Sequence, residues 1–346
     1  MRRTLIAALL LCIAPAVYGQ TADDSTLRVS SRLVEVPALV QSHTEDVVYT
    51  LRAEDFQLND RGVRQQIRLD DTTKQPLSLV VLMQTGGAAV REFDKYRGLE
   101  TMLEEMLGGA PNQVAIVNFD SQPEAASSFT SDIEQWKDAI DQPDPGNSGA
   151  AIRDALKFSL NMLAKQPASH RKVILLISQP QDSGSTTTAE EVARTAGETD
   201  TAIYSLTFTP QATRLKGALK EPPHPCRPVT LATGTAGEVN VCGFDFSEPL
   251  NMVIDAMRKD VAAEVAKVSG GEAMRFSDKN QLDDTLALIG RHMRNRYMLS
   301  FSPSSPTAGF HPIHVSLLNH PEFTVTARKG YWLSSETDGA KDKSTR

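Results

Sequence analysis

Basic runs are missing from this sequence. Lys and Arg total 36 against 43 Asp and Glu, a formal net charge of −7, and no stretch gathers enough cations to displace counterions from a phosphate backbone. Nucleic acid is therefore set aside as a partner. Long apolar runs are missing too. Beyond the amino-terminal stretch none approaches the roughly 20 residues that a membrane-spanning helix needs. Catalytic layouts are also thin. A GxSxG turn is absent, so a serine hydrolase would lack its strained nucleophile elbow. Asp182-Ser183-Gly184-Ser185 supplies one loop of an aspartic-protease kind, where two are needed for carboxylates to share a proton. The reading that follows is non-enzymatic, with no cofactor.

Cysteine is scarce, with three residues in 346. Cys12 lies in MRRTLIAALLLCIAPAVYGQ, which has a two-arginine head, an apolar stretch from Leu5 to Val17, and small residues before Gln20. This is the layout of a secretory signal peptide, expected over 1–19; Leu11 is too large for a lipid-attachment box around Cys12. Its removal with Arg2 and Arg3 would take the net charge to about −9 and place the product outside the cytoplasm, periplasmic or secreted. Cys226 and Cys242, with 15 residues between them, would then meet oxidising conditions and most simply pair. Such a bridge contributes roughly 3 kcal/mol in the chain-entropy model. Two free buried thiols are the alternative. A tetrahedral metal set is disfavoured, because His224 is the one histidine nearby.

What is present falls into three parts. RVSSRLVEVPALV (28–40), VVYTL (47–51) and DFQLNDRGVRQQIRL (55–69) are rich in β-branched residues with a turn at Asp60-Arg61-Gly62, so 20–75 reads as an amino-terminal β segment. From Pro76 apolar strands alternate with amphipathic helices, the pattern of a parallel α/β sheet. Strands are expected at 77–83, 113–119, 125–130, 172–178, 202–208 and 272–277. Helices are expected near 91–107, 131–141, 149–165, 188–198, 250–268 and 279–294. Residues 210–249 fit neither period and read as an insertion in a 76–296 domain. YMLSFSP, FHPIHVSLL and FTVTARKGYWL return to β over 297–333, followed by a disordered tail at 334–346. Neither end has enough strands to bury a face alone, so the two β segments are expected to pack together. The fold class is α/β: a doubly wound, mostly parallel sheet inserted in or flanked by a small β domain.

VVLMQTGGAAV (80–90) delivers a strand to the edge of the sheet where α/β folds place their ligands, yet it carries no charge. The ordered series Asp55-Phe56, Asp60, Gly62, Gln66, PLSLVVLMQ, FTSD (129–132), Asp154-Ala155-Leu156, Gly270-Gly271, RNRYMLSFSP, His314 and ARKGYW (327–332) resembles the VWFA-related domain family described from acidobacteria, of von Willebrand factor type A fold. The resemblance covers nearly all of the chain after the leader. It implies an extracytoplasmic binding module that holds partners through a divalent metal, ligated by a DxSxS loop, a threonine and a second aspartate. Those five positions fall on Gln84, Gly86, Ala88, Ala150 and Gln179. Two neutral amides and three side chains without oxygen replace the ligands, so the metal site is expected to be degenerate, there being little left to offset the hydration of a small dication.

Asp120 and Asp182 lie near the same rim as substitute ligands in a cation-dependent alternative, and as solvated loop acids otherwise. With Thr85 they are the candidate partner-binding residues. A protein partner is expected, and no membrane span after the leader. Other features read as structural. Gly146-Asn147-Ser148-Gly149 looks like a cap and turn before a helix. His311 and His314 point to opposite faces of a strand. Arg291, His292, Arg294 and Arg296 form a solvated helix end. Trp136 and Trp332 are core.

Overall fold

The computed structural model describes residues 33–72, 75–107, 112–141, 143–208 and 260–333. The leader, the insertion with Cys226 and Cys242, and the tail lie outside them.

The central sheet follows from burial on both faces. Strand β5 (Leu77–Gln84) is LSLVVLMQ with every residue buried, as a parallel strand covered by helices on both sides must be. It pairs in parallel with β6 (Gln113–Phe119) and β8 (Arg171–Ser178). Strands β9 (Thr201–Phe208) and β10 (Ala273–Phe276) extend the sheet, and β7 (Pro123–Ala125) closes the other edge antiparallel, in the order β10-β9-β8-β5-β6-β7. Alternation along β5 divides the core in two. Leu79, Val81 and Met83 join one cluster with α1 (Leu99–Leu107), α2 (Lys137–Asp141) and α6 (Lys279–Arg294). Val80 and Leu82 join another with α3 (Ile152–Ala164), α4 (Ala189–Glu198) and α5 (Val261–Ser269). Each such aliphatic side chain contributes about 1.5–3 kcal/mol on burial. The fold is thus a mixed α/β structure with a mostly parallel, doubly covered sheet.

Two antiparallel sheets accompany it. One runs β13 (Phe323–Ala327), β1 (Val34–Ser42), β11 (Tyr297–Phe301), β4 (Ile67–Asp70). The other runs β14 (Gly330–Leu333), β12 (Gly309–Leu317), β2 (Phe56–Asp60), β3 (Val63–Arg64). Registers such as Val36↔Leu299 and Leu58↔Val315 join chain segments from either side of the α/β region. Their inward residues, among them Val36, Leu58, Leu299 and Val315, form a third core.

Several local expectations need correction. VVYTL (47–51) is not a strand; Val47 makes a lone bridge to Gln41, and the Leu51 N–H goes to the Tyr297 hydroxyl at 3.0 Å instead of a ladder partner. The strand expected at 125–130 ends at Ala125, because the Ser127 hydroxyl takes the Ile116 N–H at 2.9 Å and interrupts the ladder. The helix expected from 91 is split into a 3-10 segment, Gly87–Lys95, and α1, with Gly98 at φ +81° between them. The helix near 131–141 likewise begins as a 3-10 turn, Ile133–Gln135.

Candidate functional site

The carboxyl ends of β5, β6 and β8 carry the rim that the sequence singled out. Gln84, wholly buried, ends β5. Its Oε1 accepts the Gln179 N–H at 2.9 Å, and its Nε2 donates to Gly86 O at 3.0 Å and Gln179 Oε1 at 3.3 Å. The Gln179 Nε2 donates onward to Gln181 O at 2.8 Å. The two amides therefore tie the first and third loops of the rim directly together.

The middle loop is pressed against the first by glycine. A Cβ added at Gly86 would lie 2.5 Å from the carbonyl oxygens of Asn147 and Gly149 and 2.6 Å from Asp120 Cβ. Such approaches exclude any side chain there. Gly87, at φ +59°, donates its N–H to Asn147 O at 2.8 Å. Ala88 packs against the core and Ala150 is buried, with its carbonyl taken by the Ser183 N–H at 2.8 Å.

Asp120 organises the same crossing. It accepts the N–H groups of Asn147 at 2.9 Å and Gln122 at 3.0 Å. Burial pushes its carboxyl up, but the Asn147, Gln122 and Ser121 hydrogen bonds outweigh that and hold it below the usual aspartate range. Asn147 is not the helix cap expected of its turn; its Oδ1 accepts the N–H groups of Gly149 at 2.8 Å and Ser121 at 3.3 Å, while α3 has Ala151 at its N-cap position and no side-chain cap.

Asp182 is also no solvated loop acid. It meets Arg153 Nη2 at 3.0 Å, accepts the Arg153 N–H at 3.0 Å and the Ser185 hydroxyl at 2.5 Å, and its side chain is 7% exposed. Asp154, part of the resemblance series but not a candidate site residue, anchors the next loop by accepting the N–H of Thr187 at 2.7 Å and of Thr186 at 3.0 Å. Thr85 is buried, and its hydroxyl lies 3.3 Å from Phe119 O.

Beside the rim opens a cleft of about 570 Å³. Thr85, Asn118, Asp120, Glu124, Asp138 and Asp144 line it, with no lysine or arginine among its described walls. The structure thus brings Thr85 and Asp120 to one cleft and leaves Asp182 on the far side of Ala150, bound to Arg153.

Two polar clusters elsewhere escaped or contradicted the sequence reading. Of the expected solvated helix end, Arg291 and Arg294 are exposed, but His292 and Arg296 are not. His292 and Arg296 are buried and both bond Glu272, His292 Nδ1 at 2.6 Å, while Arg294 donates to the carbonyls of Glu105 and Met106 at 3.1 Å. The reason is that the inner side of this helix end is packed against α1 and β10 instead of water. The second cluster is Asp60, His311 and Tyr331, all buried. His311 Nδ1 faces Asp60 Oδ1 at 3.1 Å, its Nε2 donates to Thr307 O at 2.7 Å, and the Tyr331 hydroxyl donates to Asp60 Oδ2 at 2.7 Å. Only the spacing of His311 on a strand hinted at this, and spacing does not reveal a partner 251 positions away.

Among the described residues no three His, Cys, Asp or Glu side chains converge as a metal-ligand set, and no helix is long and apolar enough to cross a membrane. No curated protein matches the chain. Solved structures similar to it include the conserved hypothetical protein BatB from Bacteroides thetaiotaomicron, 15% identical, covering 63% of this chain and 98% of that one with a TM-score of 0.41. Proximal thread matrix protein 1 from the mussel byssus is 11% identical, covering 68% and 49%, with a TM-score of 0.43. The von Willebrand factor domain of the type V pili tip protein Mfa5 from Porphyromonas gingivalis is 20% identical, covering 32% and 39%, with a TM-score of 0.28. Residues 75–182, which carry β5 through β8 and the whole rim, match the von Willebrand factor type A domain.

Proposed function

We propose that this chain is an exported, non-catalytic protein-binding module of von Willebrand factor A-like fold whose rim works without a divalent metal. The Gln84–Gln179 amide pair carries the reading. At the two positions where the resemblance places carboxylates, neutral amides bond each other across the loops that a cation would otherwise join. These residues do not fit a small dication, which takes hydroxyl and carboxylate oxygens in near-octahedral array. Gly86 adds to this, since its packing leaves no space for a ligand side chain. The substitute ligands Asp120 and Asp182 are each engaged by protein donors, which counts against the cation-dependent alternative.

A hydrolase reading has less to stand on. Ser78 Oγ lies 2.9 Å from His170 Nδ1, but Ser78 is wholly buried and unreachable by a substrate. The partner surface we favour is the cleft holding Thr85 and Asp120, whose acidic walls suit a partner segment bearing lysine or arginine. Export rests on the leader expected from sequence.

Calorimetric titration with magnesium, manganese and calcium tests the reading, with no binding heat expected. Micromolar affinity for any of the three would overturn it. Affinity capture from the native envelope, run with and without EDTA, should return the same partners in both.

A further inference from the structure

The amino edge of the parallel sheet holds a second cavity, remote from the rim. It lies where the first residues of β8 and β9 approach β1 and β11 and encloses about 360 Å³, within the roughly 300–1,000 Å³ of small-molecule sites. Pro37, Val173, Tyr204 and Met298 give it an apolar floor.

Most charged groups on its walls already have partners. Asp200 accepts from Arg328 Nη1 at 2.9 Å, and Arg296 is bonded to Gly270 O and Glu272. Glu198 stands 3.6 Å from Arg194, and His170 meets Ser78. Arg171 spends one arm on Met293 O at 2.8 Å. Glu35 on β1 and Lys172 on β8 differ. Both are half-buried, and neither side chain makes a hydrogen bond or ion pair with another described residue. Burial holds the Glu35 carboxyl above its usual range, Asp200 and Asp70 adding to the effect while Arg328 and Arg171 oppose it. Burial pulls the Lys172 ammonium below its usual range, with Asp200 opposing. Two opposite charges thus line one cavity, each partly stripped of water and neither compensated by direct contact.

We propose that this cavity binds a small zwitterion, an α-amino acid or short peptide with both termini free. Its ammonium would sit against Glu35 and its carboxylate against Lys172 with Arg171 alongside. An apolar side chain would lie on the Pro37, Val173 and Met298 floor. A simple anion would leave Glu35 uncompensated and bring a like charge near it; a simple cation would do the same to Lys172 and Arg171. A ligand carrying both signs satisfies both walls at once.

The test is calorimetry on the purified protein with L-leucine and glycyl-L-leucine as probes, against N-acetyl-L-leucine and L-leucinamide. Both zwitterions should bind at millimolar concentration or below, and each blocked form at least about tenfold more weakly. Glu35→Gln should weaken the zwitterions as N-acetylation does, and Lys172→Gln as amidation does. The blocked probes ask the same question of the unaltered chain, so a variant that fails to fold does not decide the matter. Absence of binding by both zwitterions, or equal binding by their blocked forms, overturns the proposal.

Discussion

The Tyr331 hydroxyl donates to Asp60 Oδ2 at 2.7 Å although the two residues stand 271 positions apart. Asp60 ends β2 and Tyr331 lies on β14, at opposite ends of the chain, and His311 on the intervening β12 completes the group. Changing Tyr331→Phe removes one donor and leaves His311 in place; it should cost about 1–2 kcal/mol. Changing His311→Leu strands a buried carboxylate and should cost about 3–5 kcal/mol. Urea unfolding followed by far-UV circular dichroism measures both, and equal losses would refute the ranking.

Gly86→Ser places a hydroxyl where the resemblance expects one, in a space closed by two carbonyl oxygens 2.5 Å away. Overpacking of this kind should destabilise by about 1–3 kcal/mol and confer no manganese affinity. Thermal unfolding with and without manganese provides the readout; a rise in Tm on adding the ion would contradict the closed geometry.

Gly271→Ala should be worse. A Cβ there would lie 1.9 Å from Ile203 O, against the backbone of β9 that β10 must pair with, and a backbone atom cannot swing aside as a side-chain tip can. The loss should reach at least about 3 kcal/mol, visible as poor yield of folded protein. Gly270→Ala, at φ +85° on the end of α5, should cost about 1 kcal/mol for the left-handed backbone plus the crowding of Arg328 Cβ at 2.9 Å.

Glu272 gives a pH dependence. Burial pushes its carboxyl up, but the His292 hydrogen bond and the Arg296 charge outweigh burial and hold it below its ordinary 4.5. The unfolded chain therefore binds the proton more tightly. The stability from this group is fully present above about pH 4.5 and is lost as pH falls through the depressed folded value. Glu272→Gln should lower stability at neutral pH and flatten that acid limb. A variant whose stability falls with acid as steeply as the parent's would remove Glu272 as the cause.

The elements with strong periodicity were legible. β5, α3 and α6 lie within a few residues of their expected spans because their burial pattern is written in neighbouring residues: Ile152, Leu156, Leu160 and Leu163 must share a helix face whatever the topology. The split at Gly98 and the interruption after Ala125 were not legible, since each depends on a hydrogen bond or a dihedral that competes with local propensity. The absence of charge at Gln84 and Gln179 was plain from the residues. That the two amides reach each other was not.

Sequence alone determined the layering of this protein, its acidic balance and the absence of charge from Gln84 to Val90, because period, composition and residue identity are local properties. Tertiary structure decided which groups meet. It turned His292 and Arg296 inward onto Glu272, bound Asp182 to Arg153, and left the Glu35 and Lys172 side chains in one cavity without a close partner among the described residues. Hydrogen-bond geometry and the clearance around a Cβ depend on distances between residues far apart in the chain, and those distances exist only once the sheets have closed.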